Sequence, residues 1–306
     1  MSNDITLVLG ATGNTVRRVT ARLRLRDTPV RAASRSSRTP FDWSHPAGWD
    51  QVLRDVTTAY VVPPPVPGPV HDFVARAEAA GVRRLVLLSG HGADDWGDSA
   101  FGLDMRSAED AVRGSALEWT ILRASDFAQN FDGHPFRTPP AAGEPALPAG
   151  AVPEPFIDLE DVADVAAAVL SEPGQHAGRV CELTGPRGLT WAEAVELISR
   201  ASGLPIVYRR VCPAEYTATL VQEGWGQSEA QHLAEMFVLL ERGTAAWTSD
   251  DVATVLGLRA ADLRGLRPAG HGSGSPAVLS PAGLGLACRA PGSGAPHAIP
   301  HIHITC

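Results

Sequence analysis

The stretch from Ile5 to Val16 constrains the chain more than any other. An apolar run, Ile5 to Leu9, stops at Gly10, and Gly13 follows after Ala11 and Thr12. From Asn14 the chain carries Arg17, Val19, Ala21, Leu23 and Leu25 through a segment without Gly or Pro. That order reads as strand, glycine turn, helix, which aims backbone N–H groups and a helix N-terminus at a phosphate. Gly10 permits the tight turn, and Gly13 lets a pyrophosphate approach the backbone. Thr12, Asn14 and Thr15 complete the candidate cradle. A third glycine is expected at Val16, and its absence implies a slightly splayed helix. The same turn also reads as an ordinary strand–helix connection, since glycine turns are common.

The segments that follow keep the alternation. Pro29 to Ser34 reads as a second strand running into Arg35-Ser36-Ser37-Arg38, and Phe41-Asp42-Trp43 ends a short third strand. Ala47 to Leu53 suits a helix. Thr58 to Val62 is an apolar run stopped by Pro63-Pro64-Pro65, because proline cannot continue a central strand. Val70 to Ala80 reads as a helix, Arg84 to Gly90 as a buried strand, Ala100 to Arg113 as a helix and Trp119 to Arg123 as a strand. Short apolar strands alternating with helices predict an α/β fold, a doubly wound parallel sheet covered on both faces. Ligands of such sheets bind outside the carboxyl ends of the strands, here near Gly10, Arg35, Pro63, Ser89 and Ala124.

Arg35 and Ser36 lie where a dinucleotide's adenosine ribose is read. A free 2′-hydroxyl calls for Asp or Glu there and a 2′-phosphate for Arg. With no acid in the segment, NADP(H) is the expected cofactor, although the residues also read as a solvated basic loop. Asp42 and Trp43 are placed to border an adenine, and Pro63 and Pro64 to flank the cofactor.

Residues 132–155, rich in Pro, Gly and Ala, read as a loop over the cleft or a domain crossing. Phe156 to Asp158 and Val180 to Thr184 read as strands around a helix from Asp161 to Leu170. Thr190 with Glu193 carries the signature of a capped helix start. The expected division is a cofactor-binding domain over 1–155, its sheet completed by later strands, a smaller α/β substrate-side region over 156–267, and a disordered tail over 268–306. No metal is expected. The tail's His297, His301, His303 and Cys306 lack a packed scaffold to hold one.

At 306 residues with 44% hydrophobic and 20% charged content, the chain describes a globular, enzyme-sized protein. The net charge of −8 offers no footprint for nucleic acid. No apolar run approaches the roughly 20 residues of a membrane span. The first strand starts too early to leave room for a signal peptide, and four scattered cysteines fit reduced thiols; a cytoplasmic location is expected. The chain has no lysine, which excludes any mechanism that needs an ammonium side chain.

Taken together, Gly10 to Thr15, Ala33-Ser34-Arg35, Phe41-Asp42-Trp43, Val62 to Pro65, Gly81 to Ser89, Glu118 to Arg123 and Phe127 to Phe131 resemble the NmrA-like branch of the short-chain dehydrogenase/reductases. The Asp-Trp and triple-proline segments look like bacterial relatives of the ergot-alkaloid festuclavine and agroclavine dehydrogenases. The likeness runs over roughly residues 4–265 and implies a Rossmann-type fold. The wider superfamily places a Ser at the end of the fifth strand and a Tyr-x-x-x-Lys about a dozen residues on. Ser89 matches the first, but Phe101 and Met105 stand where the phenol and ammonium belong, so the sequence assigns no catalytic acid.

Two functions fit. One is an NADPH-dependent oxidoreductase passing hydride to a small, electron-poor acceptor. An iminium becomes a neutral amine on taking hydride, and a quinone yields a stabilised anion; neither needs the missing pair as an ordinary ketone does. Ser89 would polarise or position the acceptor, or else simply end its strand. His91 is a candidate donor or a solvent-facing loop residue. Phe127, Asn130 and Phe131 are candidates for the substrate wall, although the spacing of the two phenylalanines also suits core residues. The other function is a non-catalytic NADP(H) sensor that controls a protein partner.

Overall fold

A computed structural model describes residues 4–10, 13–64, 66–132, 144–202 and 205–263. Thr12, residues 133–143 and the whole tail from 264, with its histidines, lie outside them. The strands are β1 (Ile5–Leu9), β2 (Val30–Ser34), β3 (Thr39–Pro40), β4 (Val56–Val61), β5 (Arg84–Gly90), β6 (Glu118–Ala124), β7 (Ala146–Leu147), β8 (Arg179–Leu183) and β9 (Arg209–Arg210). The helices are α1 (Asn14–Leu25), α2 (Trp49–Leu53), α3 (Pro69–Ala79), α4 (Ala100–Arg113), α5 (Leu159–Ser171), α6 (Trp191–Ser202), α7 (Pro213–Gln222), α8 (Gln227–Leu240) and α9 (Asp251–Leu256).

Seven strands form one sheet in the order β3-β2-β1-β4-β5-β6-β8, and every neighbouring pair is parallel. This is the expected doubly wound Rossmann-type sheet. Both faces are buried, and the two-residue period of the strands sorts their side chains between two cores. Val8, Tyr60, Val86, Leu88 and Leu122 pack under α1 and α5. Leu7, Leu9, Leu85, Leu87 and Ile121 pack under α2, α3 and α4. Charge fixes α1 against α5: Arg18 Nε lies 2.6 Å from Glu160, and Arg22 Nε lies 2.7 Å from Asp164. A third core, around Trp191, Tyr216 and Phe237, joins α6, α7 and α8 beside the β7–β9 pair.

Three local expectations change. The third strand ends at Pro40, before Phe41-Asp42-Trp43. Asp42 accepts hydrogen bonds from the backbone and hydroxyl of Ser44, a turn that leaves the ladder, while Phe41 stacks on Trp49 and meets Phe73 edge-on, and Trp43 packs edge-on with Trp49 and Phe73. Phe156-Ile157-Asp158 is no strand. Ile157 makes a single bridge to Phe127, and Asp158 then caps α5 through Glu160 N at 2.8 Å. Within 132–155, Ala146–Leu147 pairs with Arg209–Arg210 rather than looping. Thr190 and Glu193 do form the capping pair, each accepting the other's backbone N–H.

Val16 explains the missing third glycine. It is 2% exposed, and its Cγ2 lies 3.6 Å from where Gly10 would carry a Cβ. The side chain fills the gap between helix and strand that the family's glycine would close. Val16→Gly should therefore cost on the order of 2–3 kcal/mol of stability, from lost burial and a weaker helix. Urea unfolding measures it, and an unchanged midpoint would show the contact to be worthless.

Candidate functional site

The strand order reverses between β1 and β4, so the switch point of the sheet lies at Gly10 and Val62, where a doubly wound fold binds its ligand. Gly10 has φ +81°, a left-handed conformation that side chains oppose. Gly13 folds back so that its N–H meets Gly10 O at 2.7 Å, and a Cβ on Gly13 would lie 3.2 Å from that oxygen. Gly13 is also the N-cap of α1. It offers the helix no side-chain cap, and the first turn carries no acid. The first N–H groups of a twelve-residue helix are thus left for an anion. Backbone shape and dipole fit a dinucleotide's pyrophosphate.

Around this turn the sequence candidates separate. Asn14 is exposed at the helix start and Thr15 is buried. Arg35 and Ser36 stand exposed just past the carboxyl end of β2; Ser37, not Ser36, organises the turn by accepting Ser34 N at 2.8 Å and donating to Thr39 O at 2.7 Å. Asp42 is held by Ser44, whose backbone N–H keeps its carboxyl below the ordinary range despite partial burial. Trp43 is half-buried in the aromatic cluster. Pro63 and Pro64 are buried directly after β4.

Ser89 is fully buried and donates to Glu109 Oε1 at 2.7 Å. The ladder sets Ser89 beside Arg123 and Arg123 beside Glu182, so all three side chains leave the same face of the sheet. Arg123 donates to both oxygens of Glu109 at 2.8 and 2.7 Å, to both of Asp94 at 2.7 and 2.6 Å, and to Glu182 at 3.2 Å. His91 is buried rather than facing solvent. Its Nδ1 lies 2.7 Å from Glu182 and its Nε2 3.0 Å from the Trp247 carbonyl. Both nitrogens face acceptors.

Beyond this floor a cleft opens at the carboxyl ends of β5 and β6. It is small and partly open, with room for about one water molecule, and is walled by His91, Trp96, Ser125, Asp126, Glu154 and the α8 residues Met236, Leu239 and Leu240. Trp96 presses onto β5 so closely that a Cβ at position 90 would sit 2.1 Å from its ring, which requires Gly90. Of the proposed wall residues, Phe127 belongs to the core beside Ile157, Phe131 packs on Phe156 and Trp191, and Asn130 is half-buried in the turn between them.

The sequence reading missed Asp126 and Glu154. They are 5% and 2% exposed, and neither carboxyl has a hydrogen-bond partner among the described residues. Asp126 directly follows β6 and is fixed by Ile157 N on Asp126 O at 2.9 Å; Glu154 is pinned by two backbone hydrogen bonds to Leu189. Burial pushes the Asp126 carboxyl up to about 7. Burial, with repulsion from Asp126, holds Glu154 well above its usual range. A single acid after a predicted strand gave the only signal; its partner lies in a proline-rich stretch that looked like loop.

A parallel doubly wound sheet with an open glycine turn at its switch point defines a dinucleotide-binding protein. The chain belongs to the NAD(P)H-binding oxidoreductase family that includes festuclavine synthase I. Residues 47–173 match the NAD(P)H-binding family. Festuclavine synthase I of Penicillium roqueforti is 32% identical, over 71% of this chain and 80% of its own. An NAD(P)H azoreductase of Xenophilus azovorans is 28% identical, over 71% and 76%. The fold is shared with the Escherichia coli NADPH-dependent quinone oxidoreductase solved with NADPH, at TM-score 0.72 and 22% identity over 85% of this chain and 97% of that one. No helix of the described residues is long and apolar enough to cross a membrane.

The Asp126 carboxyl carries a pH signature. Unfolded, it ionises near pH 3.9; folded, it keeps its proton to about 7. Its contribution to stability is therefore full below about pH 4 and lost as pH rises through about 7. Asp126→Asn should flatten the fall in urea midpoint between pH 4.5 and 8. Equal slopes in both proteins would show that Asp126 ionises in the fold as freely as in the unfolded chain.

Proposed function

We propose that the protein is an NADPH-dependent reductase that passes hydride to a small, electron-poor acceptor, a quinone or an imine or iminium, without a Tyr/Lys pair. The observation that carries this reading is the placing of a cleft on the same sheet edge as the phosphate-binding turn. β6 is three strands from β1, about 14 Å at the usual strand spacing, a span that an extended dinucleotide bridges. Gly10, Gly13 and the first turn of α1 hold the pyrophosphate, Arg35 the 2′-phosphate, and Trp43 with Pro63 and Pro64 border the rest. Bound there, the cofactor supplies hydride; the chain contributes orientation and a cleft shielded from water by α8. Relatives named for clavine synthesis, azo reduction and quinone reduction support the acceptor class. A simple ketone, whose carbonyl carbon is the poorer hydride acceptor, is expected to react more slowly.

The test is NADPH oxidation against panels of quinones, cyclic imines and ketones, with cofactor affinities measured alongside. Quinones or imines should turn over measurably and simple ketones poorly. Arg35→Ala should weaken NADPH about tenfold or more and barely change NADH, since a charge-assisted contact contributes roughly 1.5–3 kcal/mol. Equal losses for both cofactors would remove Arg35 from the phosphate site. Tight NADPH binding with no turnover of any acceptor would favour a sensor that controls a protein partner.

A further inference from the structure

We propose that Asp126 is the proton donor of this site, delivering its carboxyl hydrogen to the oxygen or nitrogen of a neutral acceptor as hydride reaches that acceptor. The assignment rests on the reductase reading above and adds to it the acid that the superfamily's tyrosine would have supplied.

Placement is the first argument. Asp126 stands two residues past the end of β6, in the wall of the cleft where an open parallel sheet receives its substrate. Availability is the second. The other acids near these strand ends are spent: Glu109 on Ser89, Arg113 and Arg123; Asp94 on Arg123; Glu182 on Arg123 and His91. Asp126 and Glu154 make no such bonds, and both line the cleft.

The surroundings keep the proton on. The titratable groups facing Asp126 are Glu154 from the preceding loop, His91 from the end of β5, and the Tyr216 phenol of α7, which is buried without a hydrogen-bond partner. Glu154 and Tyr216 are neutral when protonated, and the His91 nitrogens are turned to Glu182 and Trp247. No arginine lines the cleft, and Trp96, Met236, Leu239 and Leu240 make it apolar. Such a setting disfavours a carboxylate. A carboxyl that titrates near neutral pH is well matched to general-acid work.

The step balances. The reduced nicotinamide supplies two electrons and one hydrogen as hydride. The Asp126 O–H bond breaks, its electron pair stays on the carboxylate, and a new O–H or N–H bond forms on the acceptor. A quinone so treated becomes a hydroquinone, and Asp126 regains its proton from solvent after release. Glu154, still protonated, is a positioning residue that keeps a second charge away from the new carboxylate. An iminium needs no proton, which provides an internal control.

The experiment compares wild type with Asp126→Asn, a neutral isostere of the protonated side chain, using a benzoquinone and a 3,4-dihydroisoquinolinium as acceptors. The kcat for the quinone should fall about 10²-fold or more, and at least tenfold further than that for the iminium. The wild-type kcat for the quinone should decline as pH rises through about 7, and the variant should lack that limb. Infrared difference spectra of the cofactor-free protein between pH 6 and 8 should show a protonated carboxyl that ionises over this range and is missing in the variant. An unchanged quinone kcat and pH limb in Asp126→Asn overturns the donor role and leaves the reductase reading standing. A wild type inert toward every acceptor overturns both, whatever the infrared shows. If Asp126→Asn does not fold, the wild type alone decides: infrared and kinetic midpoints more than one pH unit apart overturn the assignment, and coincident midpoints support it.

Discussion

The Arg123 guanidinium holds the working end of the sheet together. It is buried, and a buried cation is tolerable only when its hydrogen-bonding directions are filled with acceptors. Glu109 fills two from α4, Asp94 two from the turn after β5, and Glu182 one from β8. Ser89 and His91 then bind the remaining lone pairs of Glu109 and Glu182. Three carboxylates thus meet Arg123, Arg113 and the His91 imidazole, whose two nitrogens both face acceptors. Buried ion pairs often add little net stability over a well-packed apolar core. What this one adds is position: strands, helix and turn are tied at a single point beneath the cleft.

That point explains why acids a few residues apart have opposite prospects. Glu109 on α4 and Glu182 on β8 meet at Arg123, where guanidinium and hydroxyl donors fill their oxygens. Asp126 and Glu154 lie among largely aromatic and aliphatic walls without a guanidinium, and burial favours the neutral form. Environment divides one residue type into carboxyls tied into a hydrogen-bond network and a carboxylic acid without one. Ser89, at the position where the superfamily keeps a catalytic serine, falls on the structural side because its hydroxyl is spent on Glu109.

The sequence disclosed whatever is local. The apolar run into Gly10, the strands at Arg84 and Trp119, the helix of Asp161 to Leu170 and the Thr190 cap follow from short-range pattern. The failures at Phe41 to Trp43 and Phe156 to Asp158 are local too, but in each an aspartate captured backbone or hydroxyl donors and ended the extended run. The site was legible only on its cofactor side, where a contiguous turn carries the chemistry. Arg123 and Glu109 lie on a strand and a helix whose relative register no single-sequence pattern encodes. Asp126 and Glu154 meet only because Glu154 pairs with Leu189 and Ile157 with Phe127.

The apolar wall of the cleft has a local cause. Met105 packs with Ala93, Trp96 and Leu239 in a small core of its own. That contact seats α8 on α4. An ammonium there would have to be buried without a counter-charge, or would hold α8 away from the sheet. With methionine, α8 settles and brings Met236, Leu239 and Leu240 over the cleft. Those side chains exclude the water that would otherwise let Asp126 ionise. The Met105 contact therefore helps to maintain the apolar surroundings in which a carboxyl keeps its proton near neutral pH.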